Sequence, residues 1–388
     1  MNKRLASLSF AIAALLCSGA APAADLQLNF YPAGTVWSHP LESARALNGV
    51  LLQNTALINR GNKPMTIKAI EIDALRNGAA SASLRLDAAR LEVMAKQGNA
   101  LAQSGMMQAV DFQFAPEQLV GKDVTVSASR TLAPGAALLV FQQYLAYRGD
   151  ADRLRVTVHL ADGAEPVIAE LAIDNGNAPG AFRFPLQGRW FVGAGASTHS
   201  HHRWAVPEEF ALDILRIGEG GLTFRGDGRR MQDYYAYGAP VLASADGEVV
   251  KVHDGAADNV KMLRAANEPL ADYLQRLRAG QDELLIQGTD AIAGNHVVLK
   301  HADGIYSVYA HLKPASLKVA VGDRVRVGQV LAELGGSGNS TEPHLHFHLC
   351  NGPDALHCAG MPVAFDNVEL PFSDGPRDLQ SGDIVEAR

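Results

Sequence analysis

After residue 23 the chain has no apolar run long enough to cross a bilayer. Positive charge is in short supply: 34 Lys and Arg face 41 Asp and Glu, a formal net charge of −7. That balance excludes nucleic acid as an expected partner, because phosphate recognition needs basic surface. Cysteine is scarce too, at 3 residues. No Gly-x-Ser-x-Gly elbow is present, which argues against a serine hydrolase. The glycine-rich run 335–338 lacks the Lys-Ser or Lys-Thr of a phosphate loop, so it reads as a flexible turn.

What the chain does have begins with an export signal. Lys3 and Arg4 form a basic start, Leu5 to Leu16 an apolar stretch, and Ala21-Pro22-Ala23 a small-residue cleavage site. Residues 1–23 are therefore expected to be a signal peptide, with a retained anchor as the other reading. Losing Lys3 and Arg4 takes the net charge from −7 to −9. The expected location is periplasmic or secreted, with no membrane span in the mature chain. Cys350 and Cys358 lie close together, and in an oxidising compartment they are expected to form a disulfide. Metal ligation with the adjacent His357 is the competing reading.

A chain of 388 residues suggests two or three domains. Residues 24–185 read as an all-β sandwich. Thr66 to Ile72 and Leu138 to Tyr147 are strand-like, and Leu154, Val156, Val158 and Leu160 alternate as on a half-buried strand. Arg60-Gly61-Asn62, Ala133-Pro134-Gly135 and Ala161-Asp162-Gly163 supply turns between such runs. This half shows no catalytic constellation and is expected to be a spacer, a shield or a gate. A short linker with Gly188, Gly193 and Gly195 follows. Residues 190–370 read as a second, mostly β domain, and 371–388 as a C-terminal tail. A helical insertion is expected over 258–283. Leu270, Tyr273, Leu274 and Leu277 carry its stripe, Pro269 sits in its first turn, and Gly280 ends it.

Ten of the 13 histidines fall between His199 and His348. His344 and His346 form a His-x-His pair, and on a strand residues two apart share a face. One imidazole can then bind a metal while the other handles a proton. Four segments share this character. They are His199-Ser200-His201-His202 with Phe210 to Asp213, Gly238 to Ala243 with Asp246-Gly247, Gly294 to His301 with Tyr309 to Leu312, and Gly335 to Phe347.

Together, over roughly 195–365, these segments resemble the lysostaphin-like zinc metallopeptidases, the LytM-type peptidoglycan endopeptidases. The resemblance implies one zinc ion per chain and peptidoglycan peptides as substrate. It implies Asp213 and His346 as zinc ligands, His344 as general base, and His311 as the second catalytic histidine, stabilising the tetrahedral intermediate. A catalytic zinc takes three protein ligands and leaves a position for water. The family places a histidine four residues before the aspartate, where this chain has Glu209. The third ligand is then His202 or His201, with a slight preference for His202; Glu209 as ligand is a further alternative. Asn295 and Ser340 are expected at the substrate. His348 departs from the family and reads as an orienting or a surface residue. His253, His296 and His301 read as non-catalytic. The second functional reading is a degenerate, non-catalytic domain that binds and activates another cell-wall hydrolase. A third is a protease acting on proteins. No partner protein can be named from the sequence.

Overall fold

The computed structural model describes residues 25–42, 46–264, 267–373 and 377–388. The expected signal peptide lies outside the described residues. None of the described helices is long and apolar enough to cross a membrane. The fold is mostly strand, in two large sheets of ten strands each.

The first sheet runs from Leu26 to Asp174. Its long strands are Leu47–Asn59, Met65–Arg76, Ala136–Arg148 and Arg153–Leu160. The turn residues read above lie at the ends of these strands. Two mainly antiparallel groups are linked where Ile173 and Asp174 run parallel to Val36 and Trp37. Their common core takes Val50, Leu52 and Leu57 from one group and Ile70, Ile72, Val156 and Val158 from the other. The all-β expectation fails at Ala88–Gln103, which is a helix. Asp87 caps it by accepting from Arg90 N at 2.9 Å, and Leu91, Ala95 and Gly98 are its buried residues. Gly98 lets the helix approach Leu139 closely: an added Cβ would lie 3.2 Å from the Leu139 Cβ.

The second sheet has strand Leu345–Cys350 near its middle. It lies between Tyr306–Leu312 and Leu212–Leu215. Leu345, Phe347 and Leu349 point into the main core, so the alternating residues His344, His346 and His348 share the opposite face. The expected linker at 188–195 is instead strand Gly188–Ala194, held in the sheet by buried Trp190 and Val192. The expected tail ends in strand Ile384–Ala387, which pairs with Gly188–Ala194 and buries Val385 completely. Cys350 and Cys358 are bonded to each other, with Cα atoms 5.9 Å apart.

The insertion forms helix Leu270–Gln287 with Pro269 at its N-cap. Gly280 does not end it. That residue sits inside the helix because Met262 packs against it; an added Cβ would lie 3.1 Å from the Met262 Sδ. The stop is Gly288, at φ 100°, whose N–H donates to the carbonyls of Leu284 and Leu285.

Candidate metal centre

Sheet register builds most of the centre. Asp213 pairs directly with His346 across neighbouring strands, and His346 pairs with Ala310 on its other side. Opposite His296 the ladder slips between Asn295 and Val297, so Ala310 and His311 form a bulge there. His311 takes φ 61°, a left-handed conformation that is rare without glycine and that tends to occur at functional sites. Its ring centroid comes within 4.8 Å of that of His344. His202 arrives differently, on a short 3-10 turn in the loop before Asp213.

The Asp213 carboxylate is the hub. His202 Nε2 lies 2.9 Å from its Oδ2, and His346 Nδ1 lies 3.0 Å from its Oδ1. His344 Nε2 is 3.4 Å from Oδ1. His201 Nε2 is 4.0 Å from Oδ2, on a side chain 73% exposed. Of the two candidates for the third ligand, His202 is the nearer and the buried one. Two buried imidazoles and one partly buried carboxylate form a donor set that suits zinc.

Hydrogen-bond partners point to the tautomers. His202 Nδ1 faces Glu208 Oε2 at 3.2 Å, so Nε2 is the nitrogen left for an ion. His346 Nε2 faces His348 Nδ1 at 3.0 Å, so Nδ1 is left for an ion. His344 Nδ1 donates to the Glu342 carbonyl at 2.7 Å, leaving Nε2 free to accept a proton. His311 Nδ1 donates to the Ser337 carbonyl at 2.9 Å, with the same consequence. Glu208 and His348 thus orient the two histidines that could hold a metal.

The charges follow from the same contacts. Burial works to raise the Asp213 pKa, but His202 and His344 outweigh it and hold the carboxyl well below its usual range. Burial works to lower the His202 pKa, yet Asp213 and Glu208 push it up to about 10. Against the same burial, Asp213 raises His344 as well. Burial, with His344 and His346 nearby, keeps His311 well below the usual histidine value. Burial, with His346, lowers His348 to about 3. His311 and His348 are therefore neutral near pH 7, while His202 competes for a proton.

Other expected site residues fall elsewhere. Asn295 is fully buried and bonded to the Ala256 and Leu312 backbone, so it ties strands together and does not face a substrate. Ser340 is also buried; its hydroxyl lies 3.2 Å from His344 Nδ1, behind the imidazole. Glu209 turns away from the centre. It meets Arg203 at 3.4 Å and Gln53 at 3.1 Å, and burial raises its pKa to about 7. Its neighbour Glu208 turns to the imidazoles, a role the sequence reading missed. Only the spacing to Asp213 was available there, and spacing does not rank two adjacent acids in a loop. His253 stacks on His296 at 5.5 Å, and His301 binds the Asp246 carbonyl and the Ser307 hydroxyl. None of these three lines the centre.

Two depressions meet at the centre. One, of about 300 Å³, is lined by His202, Asp213, His311 and His346, with Leu277 and Gln281 of the inserted helix on its wall. The other, of about 450 Å³, is lined by His199, Ser200 and Glu342, and shares His201, Asp213 and His344 with the first. Space therefore opens on two sides of the same carboxylate. Among the described residues, none before Gly193 lines either depression.

Residues 277–357 match the model of peptidase family M23. The match includes His311, His344 and His346; His202 and Asp213 lie outside it. The DD-carboxypeptidase/endopeptidase Mpg of Neisseria meningitidis is 35% identical over 24% of this chain and 20% of its own length. The peptidoglycan DD-endopeptidase ShyC of Vibrio cholerae is 42% identical over 15% of this chain and 13% of its own. The glycyl-glycine endopeptidase ALE-1 of Staphylococcus capitis is 35% identical over 23% and 25%. This chain thus spans a quarter or less of the length of these relatives. The segment that carries His311, His344 and His346 belongs to peptidase family M23, the lysostaphin-like peptidases.

Proposed function

We propose that this chain is an exported zinc metalloendopeptidase that cuts peptide bonds in peptidoglycan stem peptides or cross-links. The observation that carries the proposal is the Asp213 carboxylate bracketed by His202 Nε2 at 2.9 Å and His346 Nδ1 at 3.0 Å, beside His344. Two relatives, one named a peptidoglycan DD-endopeptidase and one a glycyl-glycine endopeptidase, support the substrate class. A cleft open on both sides of the centre suits an endopeptidase, which must seat chain on each side of the scissile bond.

His202, Asp213 and His346 would hold the ion. Zinc, when bound, polarises the scissile carbonyl and lowers the pKa of its water. The remaining roles fall to this chain's own groups. His344 accepts a proton at Nε2, since its Nδ1 is engaged by Glu342. His311, with Nδ1 donating to the Ser337 carbonyl and Nε2 bare, can stabilise negative charge at the carbonyl oxygen only after Nε2 takes up a proton, for which the attacking water is the source. His202, beside Asp213 where Glu209 turns away, favours the catalytic reading over the degenerate activator.

Purified protein should release peptides from cell-wall sacculi, and a strong chelator should abolish the release. Undiminished release with chelator present rejects the metal reading. Digestion of an unfolded protein with sacculi left intact rejects the substrate class.

A further inference from the structure

Sheet register places Asp213 and His346, whereas His202 depends on a loop. A loop-borne ligand needs support from outside to hold its geometry. That support comes from the N-terminal half. Gln113 Oε1 accepts from Val206 N at 2.7 Å, and its Nε2 donates to the Trp204 carbonyl at 3.1 Å. Gln142 donates to the same carbonyl at 2.8 Å. Gln53 donates to the Arg203 carbonyl and to Glu209 Oε2, both at 3.1 Å. Gln53 and Gln113 are 2% and 9% exposed.

The strands are altered at this contact. Pairing of Leu47–Asn59 with Ala136–Arg148 holds at Leu52 with Gln143 and at Asn54 with Phe141, but is interrupted at Gln53 and Gln142 between them. Gln142 there takes φ 53°, a conformation a glutamine rarely adopts. Such local strain persists where the surroundings enforce it, and it is found at functional positions. Tyr144 and His39 add ring contacts to Trp204 and Phe210.

We infer that the N-terminal half is a positioning scaffold for His202, and that Gln53, Gln113 and Gln142 lock Arg203–Val206 so that the imidazole presents Nε2 beside Asp213. The inference rests on the proposed metal reading. These are positioning residues: none lines the cleft. On this inference the half does more than act as a spacer, a shield or a gate.

The test is the zinc affinity of the full-length protein, read by competition with a chromogenic chelator, alongside thermal melting. Gln113→Ala combined with Gln142→Ala should weaken zinc binding about tenfold or more, as loss of outer support to a metal ligand typically does. Gln142→Ala alone alters an exposed side chain, so it should keep the fold and show part of that loss. Val158→Ala, in the core of the same half, should lower the melting temperature and leave zinc affinity unchanged. Wild-type affinity in the glutamine variants overturns the inference. So does an equal loss in Val158→Ala, which would make the effect one of general stability. Wild-type protein that takes up no zinc is a different result: it overturns the metal reading on which the inference stands.

Discussion

At the scale of single residues, one partly buried carboxylate organises five histidines through direct contact or relay. Asp213 meets His202, His344 and His346, while His311 and His348 pack on the rings of these. A carboxylate largely withdrawn from water and without compensation would tend to neutralise itself. Here the imidazoles keep it charged, which is the state a metal ligand needs. Glu208 plays the complementary part by holding His202 Nδ1. Glu208→Gln should keep the fold and weaken zinc binding by about 10–100-fold, as measured by chelator competition. Affinity equal to wild type would remove Glu208 from the account. The pH dependence has a definite sign. With the His202 pKa raised to about 10, a metal ion must displace a proton at any lower pH. Zinc affinity should therefore rise about tenfold per unit between about pH 6 and 8, and calorimetry in buffers of different ionisation enthalpy should show a proton released. A flat profile would mean His202 is not displaced.

Among the elements, the close passage of two loops sets the catalytic side of the cleft. Gly294 at φ 64° lies against the glycine-rich run, where an added Cβ would come 2.6 Å from the Ser337 carbonyl carbon. That carbonyl anchors His311. Gly294→Ala should cost about 1–3 kcal/mol in denaturant unfolding, from backbone strain alone, and should lower activity further by shifting His311. Unchanged stability would show that the passage is looser than described. The same elements show what sequence can reveal. The shared face of His344 and His346 was legible because a strand has period two. Asp213 was legible through the family pattern, and register with His346 supports its place. His202 could not be separated from His201, because a loop has no period. The helix Ala88–Gln103 carried its own signs, Asp87 as cap and the Leu91–Ala95 spacing, but strand-like neighbours masked them. Gly280 misled because close packing against Met262 asks for a small residue as firmly as a helix end does.

For the whole molecule, direct contacts join the two halves near the centre. Buried Arg203 and Glu209, with Gln53, tie the loop of the second half to a strand of the first. Zinc binding should therefore stabilise both halves. At a free concentration 100-fold above its dissociation constant it should add about 2.7 kcal/mol. Hydrogen exchange should slow in Ala136–Arg148 as well as in Leu345–Cys350, and a chelator should reverse both changes. Protection confined to the second half would show that the halves are uncoupled. The most direct test of the account is anomalous diffraction at the zinc edge from crystals of the full-length protein. The account predicts one peak per chain, within about 2.0–2.3 Å of His202 Nε2, an Asp213 oxygen and His346 Nδ1. A peak bound by other residues, or zinc-soaked crystals with no peak at Asp213, would contradict it.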